Sequence, residues 1–316
     1  MNFASDFRKK LPAALAVGAG IALLAALPVA GAASASSVPA PVPPANLRPD
    51  DLRVMTFNLR YGLAHDGRNS WPHRKELLIQ TIRDFHPDLL GTQEVLKFQA
   101  EFLRERLPEY AFHGVGREDG REAGEYSPVM WRRARFERVD GGHFWLSETP
   151  AVPGSKSWDS SLPRMVSWVL LRDRRAGGRK LIYANTHWDH RGPRARLESA
   201  RLIRRRAAGA FPGIPGILTG DFNTTEDRAP YALLVRGEGV SDTLRVLDVY
   251  RVVHPRPAPD EATFNGWKPV TRGQRIDWIL CTPQFQPLWA EINRRREGDL
   301  FPSDHYPVEA ILRWKH

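Results

Sequence analysis

Six short polar clusters, each closing an apolar run, hold the residues of this 316-residue sequence that could do chemistry. They are Thr56-Phe57-Asn58, Gln93-Glu94, Asn185-Thr186-His187, Gly220-Asp221-Phe222-Asn223, Ile276-Asp277 and Ser303-Asp304-His305. The runs are long enough for buried strands, so each cluster is expected at a strand end. Such ends, bearing Asn, Glu, His and Asp, can converge on one pocket. Hard oxygen donors beside histidines suit metal-assisted hydrolysis at phosphorus. Glu94 is the sharpest case. It closes Leu89-Leu90-Gly91-Thr92-Gln93-Glu94, and a carboxylate buried there unpaired is costly, so a divalent cation or an arginine must compensate. Asn58 and Asp304 are oxygen donors on comparable ends. Taken singly, each is more often a structural cap or turn residue than a ligand; only the set points to a site.

His187 and His305 are the candidates for proton transfer. Asp277, inside the apolar run Arg275-Ile276-Asp277-Trp278, needs a partner. Pairing with His305 would fix the ring tautomer and raise its basicity. Asp221 and Asn223 alternate with Phe222, so both point to one side and Phe222 to the other.

The elements that must position these groups are mixed helix and strand. Strands are expected over 52–58, 88–94, 128–132, 166–171, 181–186, 217–221, 275–281 and 308–314. Helical spacing marks 74–85, with Leu77, Leu78, Ile82 and Phe85 on one face, and helices are expected over 99–107 and 194–211. Asn58 and Glu94 are as far apart as Asn185 and Asp221, and each pair brackets strand, loop, helix and strand. That pattern reads as two related halves, unless the equal spacing is coincidence.

Composition is that of an ordinary globular protein, 42% hydrophobic and 26% charged. No composition break divides residues 51–316, a length that can bury one large core. Residues 1–35 read as a secretory signal peptide. Arg8-Lys9-Lys10 precede an apolar stretch from Leu11 to Ala30, and Ala30-Gly31-Ala32 and Ala33-Ser34-Ala35 offer cleavage sites. The stretch is nearly long enough to span a bilayer, so an uncleaved anchor is the alternative. Residues 36–50 read as a Pro/Ala/Ser-rich tether, and a secreted or cell-envelope protein is expected. The single cysteine, Cys281, lies in an apolar run and reads as a core residue. No zinc-type Cys/His spacing occurs. The net charge of +10 favours anionic partners, whether nucleic acid, phospholipid or a phosphorylated polymer. A genome that favours arginine would give the same balance.

In chain order the clusters resemble the motifs of the endonuclease/exonuclease/phosphatase superfamily, which includes deoxyribonuclease I, neutral sphingomyelinases and inositol-polyphosphate 5-phosphatases. The resemblance runs from about Arg53 to Trp314. Met55-Thr56-Phe57-Asn58 resembles the motif whose Asn supports the metal, and Gly91-Thr92-Gln93-Glu94-Val95 the one whose Glu binds it. The segment from Gly124 to Arg132 resembles that whose acid partners the first catalytic His, here Glu125 with His187. Pro163-Arg164 resembles a substrate-phosphate arginine. The remaining clusters match the remaining motifs. The resemblance implies a deoxyribonuclease I-like α/β (α+β) four-layer sandwich, two packed mixed β-sheets flanked by helices. It also implies Mg2+ or Mn2+ on Glu94 with Asn58 and Asp304 close by. His305, oriented by Asp277, would activate water for in-line attack. His187, Asp221 and Asn223 would stabilise the developing charge or protonate the leaving group.

Residues 142–163 and Asn185 to Gly192 resemble a bacterial subgroup of unassigned substrate, in which Asp189 and His190 could extend the site. Trp71, Trp145, Trp158, Trp188 and Trp267 could form an aromatic rim that stacks a base or a sugar, or pack the sandwich ends. Arg201, Arg204, Arg205 and Arg206 read as a solvated helix face. Arg294, Arg295 and Arg296 are the better candidates for phosphate contacts. The expected protein is a secreted, monomeric, Mg2+-dependent phosphodiesterase acting on nucleic acid. A phospholipase C/sphingomyelinase-like or phosphomonoester hydrolase is the alternative, and a non-catalytic anion-binding module the third reading.

Overall fold

The first predicted strand, β1 (Leu52–Asn58), is buried on both faces. Leu52 and Val54 enter one apolar cluster and Met55 and Phe57 another, as in a strand with a second sheet on one side and helices on the other. The computed structural model describes residues 37–315 apart from 211; the signal segment lies outside the described residues. The strands that follow are β2 (Leu89–Gln93), β3 (Tyr110–His113), β4 (Val129–Arg132), β5 (Phe136–Trp145) and β6 (Met165–Asp173). After them come β7 (Arg179–His187), β8 (Gly216–Asp221), β9 (Leu247–Asp248), β10 (Asp277–Cys281), β11 (Phe285–Ile292) and β12 (Val308–Trp314). They form two six-stranded sheets, ordered β11-β12-β1-β2-β4-β3 and β5-β6-β7-β8-β10-β9.

The sheets pack through Val54, Leu89, Val169, Leu181, Ile279 and Ala310. Helices α1 (Trp71–Phe85) and α2 (Lys97–Arg106) cover the first sheet, and α3 (Pro193–Ala210) covers the second. Helix α1 stops at His86, which turns left-handed at φ 57 ahead of Pro87. Far from the polar clusters, buried Arg135 bonds Asp88 and Asp173 and ties the two sheets together. Of the tether, Val38 exchanges backbone hydrogen bonds with Arg296, so this stretch lies on the domain. Among the described residues no helix is long and apolar enough to cross a membrane.

Each expected strand and helix is present within a few residues. The strands without a sequence signal are chiefly at sheet edges. β5 exposes Glu137, Arg138, Val139 and Asp140, and β11 is interrupted by an irregularity at Pro287; neither alternates cleanly. Two expectations are corrected. Asp277 opens β10 and Asp304-His305 precede β12, rather than closing strands. Because β10 runs antiparallel to β8 and β12 to β1, their starts lie at the same sheet edge as the other strands' ends. The two halves do share a topology, since β1-α1-β2 and β7-α3-β8 are both parallel crossovers. Their registers differ. Asn58 faces Gln93 at its strand end, whereas Asn185 faces Thr219, two residues below His187.

His113 and His143, on edge strands of different sheets, stack at 4.3 Å and 20°. Burial lowers their pKa values to about 4 and about 3. The unfolded chain takes up these protons near pH 6.5 and the folded chain refuses them until far lower pH. Stability from the pair is therefore full above about pH 6.5 and falls as pH drops from there toward 4. The urea midpoint of the wild type should fall over that window, and less steeply in His143→Phe; identical slopes would show that the pair does not couple to folding.

Candidate active site

At the end of β2 the chain turns left-handed at Glu94, φ 60, which swings the carboxylate back toward β1. Its Oε1 accepts from Asn58 Nδ2 at 3.1 Å and its Oε2 from Tyr61 N at 2.7 Å. Asn58 Nδ2 also donates to Asp221 Oδ2, on the other sheet, at 3.0 Å. One amide thus joins carboxylates of both halves. Asn58 Oδ1 accepts from Arg60 N at 2.9 Å, which orients the amide with its donor end toward the acids. In this arrangement Asn58 bridges the carboxylates; its oxygen does not face them. The sheets close up just beneath. A Cβ on Gly91 would lie 2.1 Å from Thr219 Oγ1, so only glycine fits. Gln93 Nε2 bonds Asn185 Oδ1 across the same gap at 2.7 Å.

Eight of the sequence-predicted residues border one cavity of about 570 Å³: Glu94, Glu125, Arg164, His187, Asp221, Asn223, Asp304 and His305. Asn58 and Asp277 support it from behind. Arg60, Glu94 and Asn223 on its border have left-handed backbones, each costing on the order of 1–3 kcal/mol, which is typical of functional sites.

The surroundings of the two histidines favour opposite protonation states. His305 Nδ1 lies 2.9 Å from Asp277 Oδ2 and its Nε2 3.8 Å from Asp221 Oδ2. Burial alone would lower its pKa, but Asp277 and Asp221 raise it well above the ordinary value. His187 Nε2 lies 3.0 Å from Asn223 Nδ2, a donor, so this nitrogen accepts. Burial, and then Arg164, hold His187 well below the usual range. Burial and the neighbouring Asp277 push Asp221 up to about 7. A histidine whose neutral form is favoured, one whose charged form is favoured and a carboxyl pushed up toward neutrality therefore share one cavity.

Several participants had no sequence signal. Arg117 clamps Glu125 through two bonds of 2.7 and 2.9 Å, leaving Glu125 Oε2 3.8 Å from His187 Nδ1. It comes from the polar stretch Gly116-Arg117-Glu118, which has no periodicity. Arg60 reaches Asp304 at 3.5 Å. Of the tryptophans, Trp71, Trp145 and Trp188 are buried. Trp188 meets Phe222 edge-on and Phe222 stacks on Trp278, at 4.8 and 4.4 Å, in the packing below Asp221 and Asn223. The exposed aromatic at the cavity is Phe264, 5.1 Å from the His305 ring. Asp189 is buried in loop hydrogen bonds, while His190 lines the cavity. Arg204 is buried on Asp242 rather than solvated. Arg294 donates to the Asp260 carbonyl, Arg295 pairs with Asp84, and Arg296 donates to the Gly298 carbonyl. None of these three lines the cavity.

The donor set suits a hard divalent cation. Glu94, His187 and Asp221 each bring a ligand atom within 4.8 Å of the others, as do Asp221, Asp277 and His305. Asp277 Oδ1 is buried without a hydrogen bond. Such acid density calls for positive charge, and oxygen-rich sites take Mg2+ or Mn2+.

The sequence model of the Endonuclease/Exonuclease/phosphatase family matches residues 55–305. The chain belongs to that family, whose members are divalent-metal-dependent phosphoester hydrolases. An endonuclease/exonuclease/phosphatase from Bacteroides vulgatus is 36% identical with a TM-score of 0.76, over 84% of this chain and 99% of that one. A mannosyl-6-phosphatase from Bacteroides thetaiotaomicron is 34% identical with a TM-score of 0.74, over 83% of this chain and 100% of that one. Nocturnin of Drosophila melanogaster is 24% identical over 82% of this chain and 46% of its own length. The chain spans less than half the length of the curated relatives it matches.

If Glu94 holds the metal, Glu94→Gln should cut turnover about 10²–10³-fold and abolish the rise in melting temperature that Mg2+ gives the wild type. A mutant that Mg2+ still stabilises to the same extent would refute this. If Asp277 orients His305, Asp277→Asn should lower kcat about 10³-fold or more. Adding it to His305→Ala should then cost little further, because the pair acts as a unit; multiplicative losses in the double mutant would show separate roles.

Proposed function

We propose that the chain is a secreted, Mg2+- or Mn2+-dependent hydrolase of compact phosphate esters. The cavity carries this reading: about 570 Å³ suits one small phosphorylated molecule. Arg294, Arg295 and Arg296, the arginines expected to extend it along a polymer, bond other protein groups and do not line it. The likeness to a mannosyl-6-phosphatase supports the same substrate size. Secretion rests on the pattern of residues 1–35.

In this reading Glu94 and Asp304, with Asn58 close by, would hold the cation, which when bound would polarise a phosphoryl oxygen. Buried Arg164, whose Nε and Nη1 have no hydrogen-bond partner among the described residues, lines the cavity and would hold a non-bridging oxygen. Water attacks phosphorus in line with the leaving oxygen as the bond to that oxygen breaks. The water proton would pass to the Asp221 carboxylate, and the His305 Nε2–H would protonate the oxygen that leaves as the alcohol, while Asp277 keeps Nδ1.

A second reading, cleavage of nucleic acid, keeps one specific observation. Phe264 is 50% exposed beside His305 and is placed to stack a base. The curated relatives include a probable RNA exonuclease at 24% identity.

Mannose 6-phosphate, p-nitrophenyl phosphate, bis-p-nitrophenyl phosphate, RNA, plasmid DNA and sphingomyelin vesicles, each with Mg2+ and with chelator, separate these readings. The expected result is metal-dependent release of phosphate with the highest kcat/KM on the small monoesters. A polynucleotide as best substrate, with a steep salt dependence, would overturn the compact-ester reading.

A further inference from the structure

We propose that His190 is a specificity-determining residue, held by Arg164 as a neutral hydrogen-bond donor that reads a hydroxyl on the alcohol side of the phosphate ester. The inference rests on the compact-ester reading above.

The wall that carries His190 is built before any substrate arrives. Asp189 Oδ2 accepts from Ser161 N at 3.0 Å, Ser161 Oγ at 2.7 Å and Leu162 N at 3.2 Å. Its Oδ1 accepts from Arg191 N at 3.0 Å and Gly192 N at 2.7 Å. One carboxylate therefore locks two loops together. Asp159 accepts from Arg194 N and Ala195 N at the start of α3. A Cβ on Gly192 would lie 2.5 Å from the Asp159 carboxylate, so the loop and the helix meet only through glycine.

Arg164, almost fully buried, places Nη2 3.0 Å from His190 Nδ1. A guanidinium can only donate, so Nδ1 must accept and the ring proton sits on Nε2. A second proton on Nδ1 would face the guanidinium charge. Burial and then Arg164 lower the pKa of His190 as well. Both oxygens of the adjacent Asp189 are taken by the loop bonds above. Among the described residues nothing bonds His190 Nε2, and the exposed ring lines the cavity with Leu162, Arg164 and His187.

The proton-transfer groups, Asp221, Asp277 and His305, do not use His190. A neutral N–H donor is poorly suited to a second phosphate, which a cation would serve better. It suits a hydroxyl or ring oxygen of a polyhydroxylated leaving group. An aromatic alcohol gives it nothing to bond.

The test uses the whole chain with Mg2+. The ¹⁵N imidazole spectrum of the wild type at neutral pH should show His190 neutral with its proton on Nε2. The ratio of kcat/KM for mannose 6-phosphate to that for p-nitrophenyl phosphate should fall about tenfold in His190→Ala. His190→Gln, which keeps an N–H donor at similar reach, should recover part of the ratio, and it carries the test if His190→Ala does not fold. A cationic or Nδ1-protonated His190, or an unchanged ratio in both variants, would overturn the assignment while leaving the compact-ester reading intact. A wild type inactive on mannose 6-phosphate and its isomers but active on polynucleotide would overturn both.

Discussion

The site depends on the amide of Asn58. Its single nitrogen donates to Glu94 on one sheet and to Asp221 on the other, across the gap between them. Acid groups from separate layers repel each other and resist burial. A neutral two-proton donor, anchored by Arg60 N on its oxygen side, lets them come together without spending a fixed cation. The charge deficit that remains is what a divalent metal would satisfy. The close approach below it requires Gly91, which has no Cβ to strike Thr219. The Gln93–Asn185 bond holds the gap at fixed width.

From that constraint the division of labour between the histidines follows. His305 is backed by Asp277 and faced by Asp221, so two acids favour its charged form. His187 is faced by an amide donor and by Arg164, so its neutral form is favoured. Identical side chains on equivalent sheet edges thus differ because of what stands behind them. Arg117 enforces the difference on the His187 side, since it occupies both oxygens of Glu125 and limits that acid's pull on the ring. Beneath, Phe222 and Trp278 stack at 4.4 Å and keep water from the rear of Asp221.

The same rigidity governs the cavity walls. Asp189 and Asp159 spend their oxygens on backbone N–H groups, so the loops beside the site are fixed by hydrogen bonds rather than by apolar packing. A wall made this way can hold polar groups at constant geometry, which recognition of a small polar molecule needs. Recognition of a long polyanion would instead call for a basic track outside the cavity, and the three arginines expected there, Arg294, Arg295 and Arg296, bond protein groups instead.

Much of this protein was legible in the sequence because its information is local. Apolar runs that end in Asn, Glu, His or Asp mark central strands, and strand ends must gather at a sheet edge; eight candidate site residues followed from that, while Glu125 and Arg164 came from the family resemblance alone. The alternation of Asp221 with Asn223 belongs to the same local code, whereas the need for glycine at 91 appears only where Thr219 of the other sheet meets it. The edge strands β5 and β11 did not announce themselves, since half of each edge pairs with nothing and need not be apolar. The tertiary structure alone decided the rest. Only packing could place Arg117 on Glu125 or bury Arg204. Only packing could spend Arg294, Arg295 and Arg296 on distant partners, or bring Arg164 to the His190 ring. Long cationic side chains look alike in a sequence, and whether one faces substrate, solvent or a buried acid depends on which layer meets it.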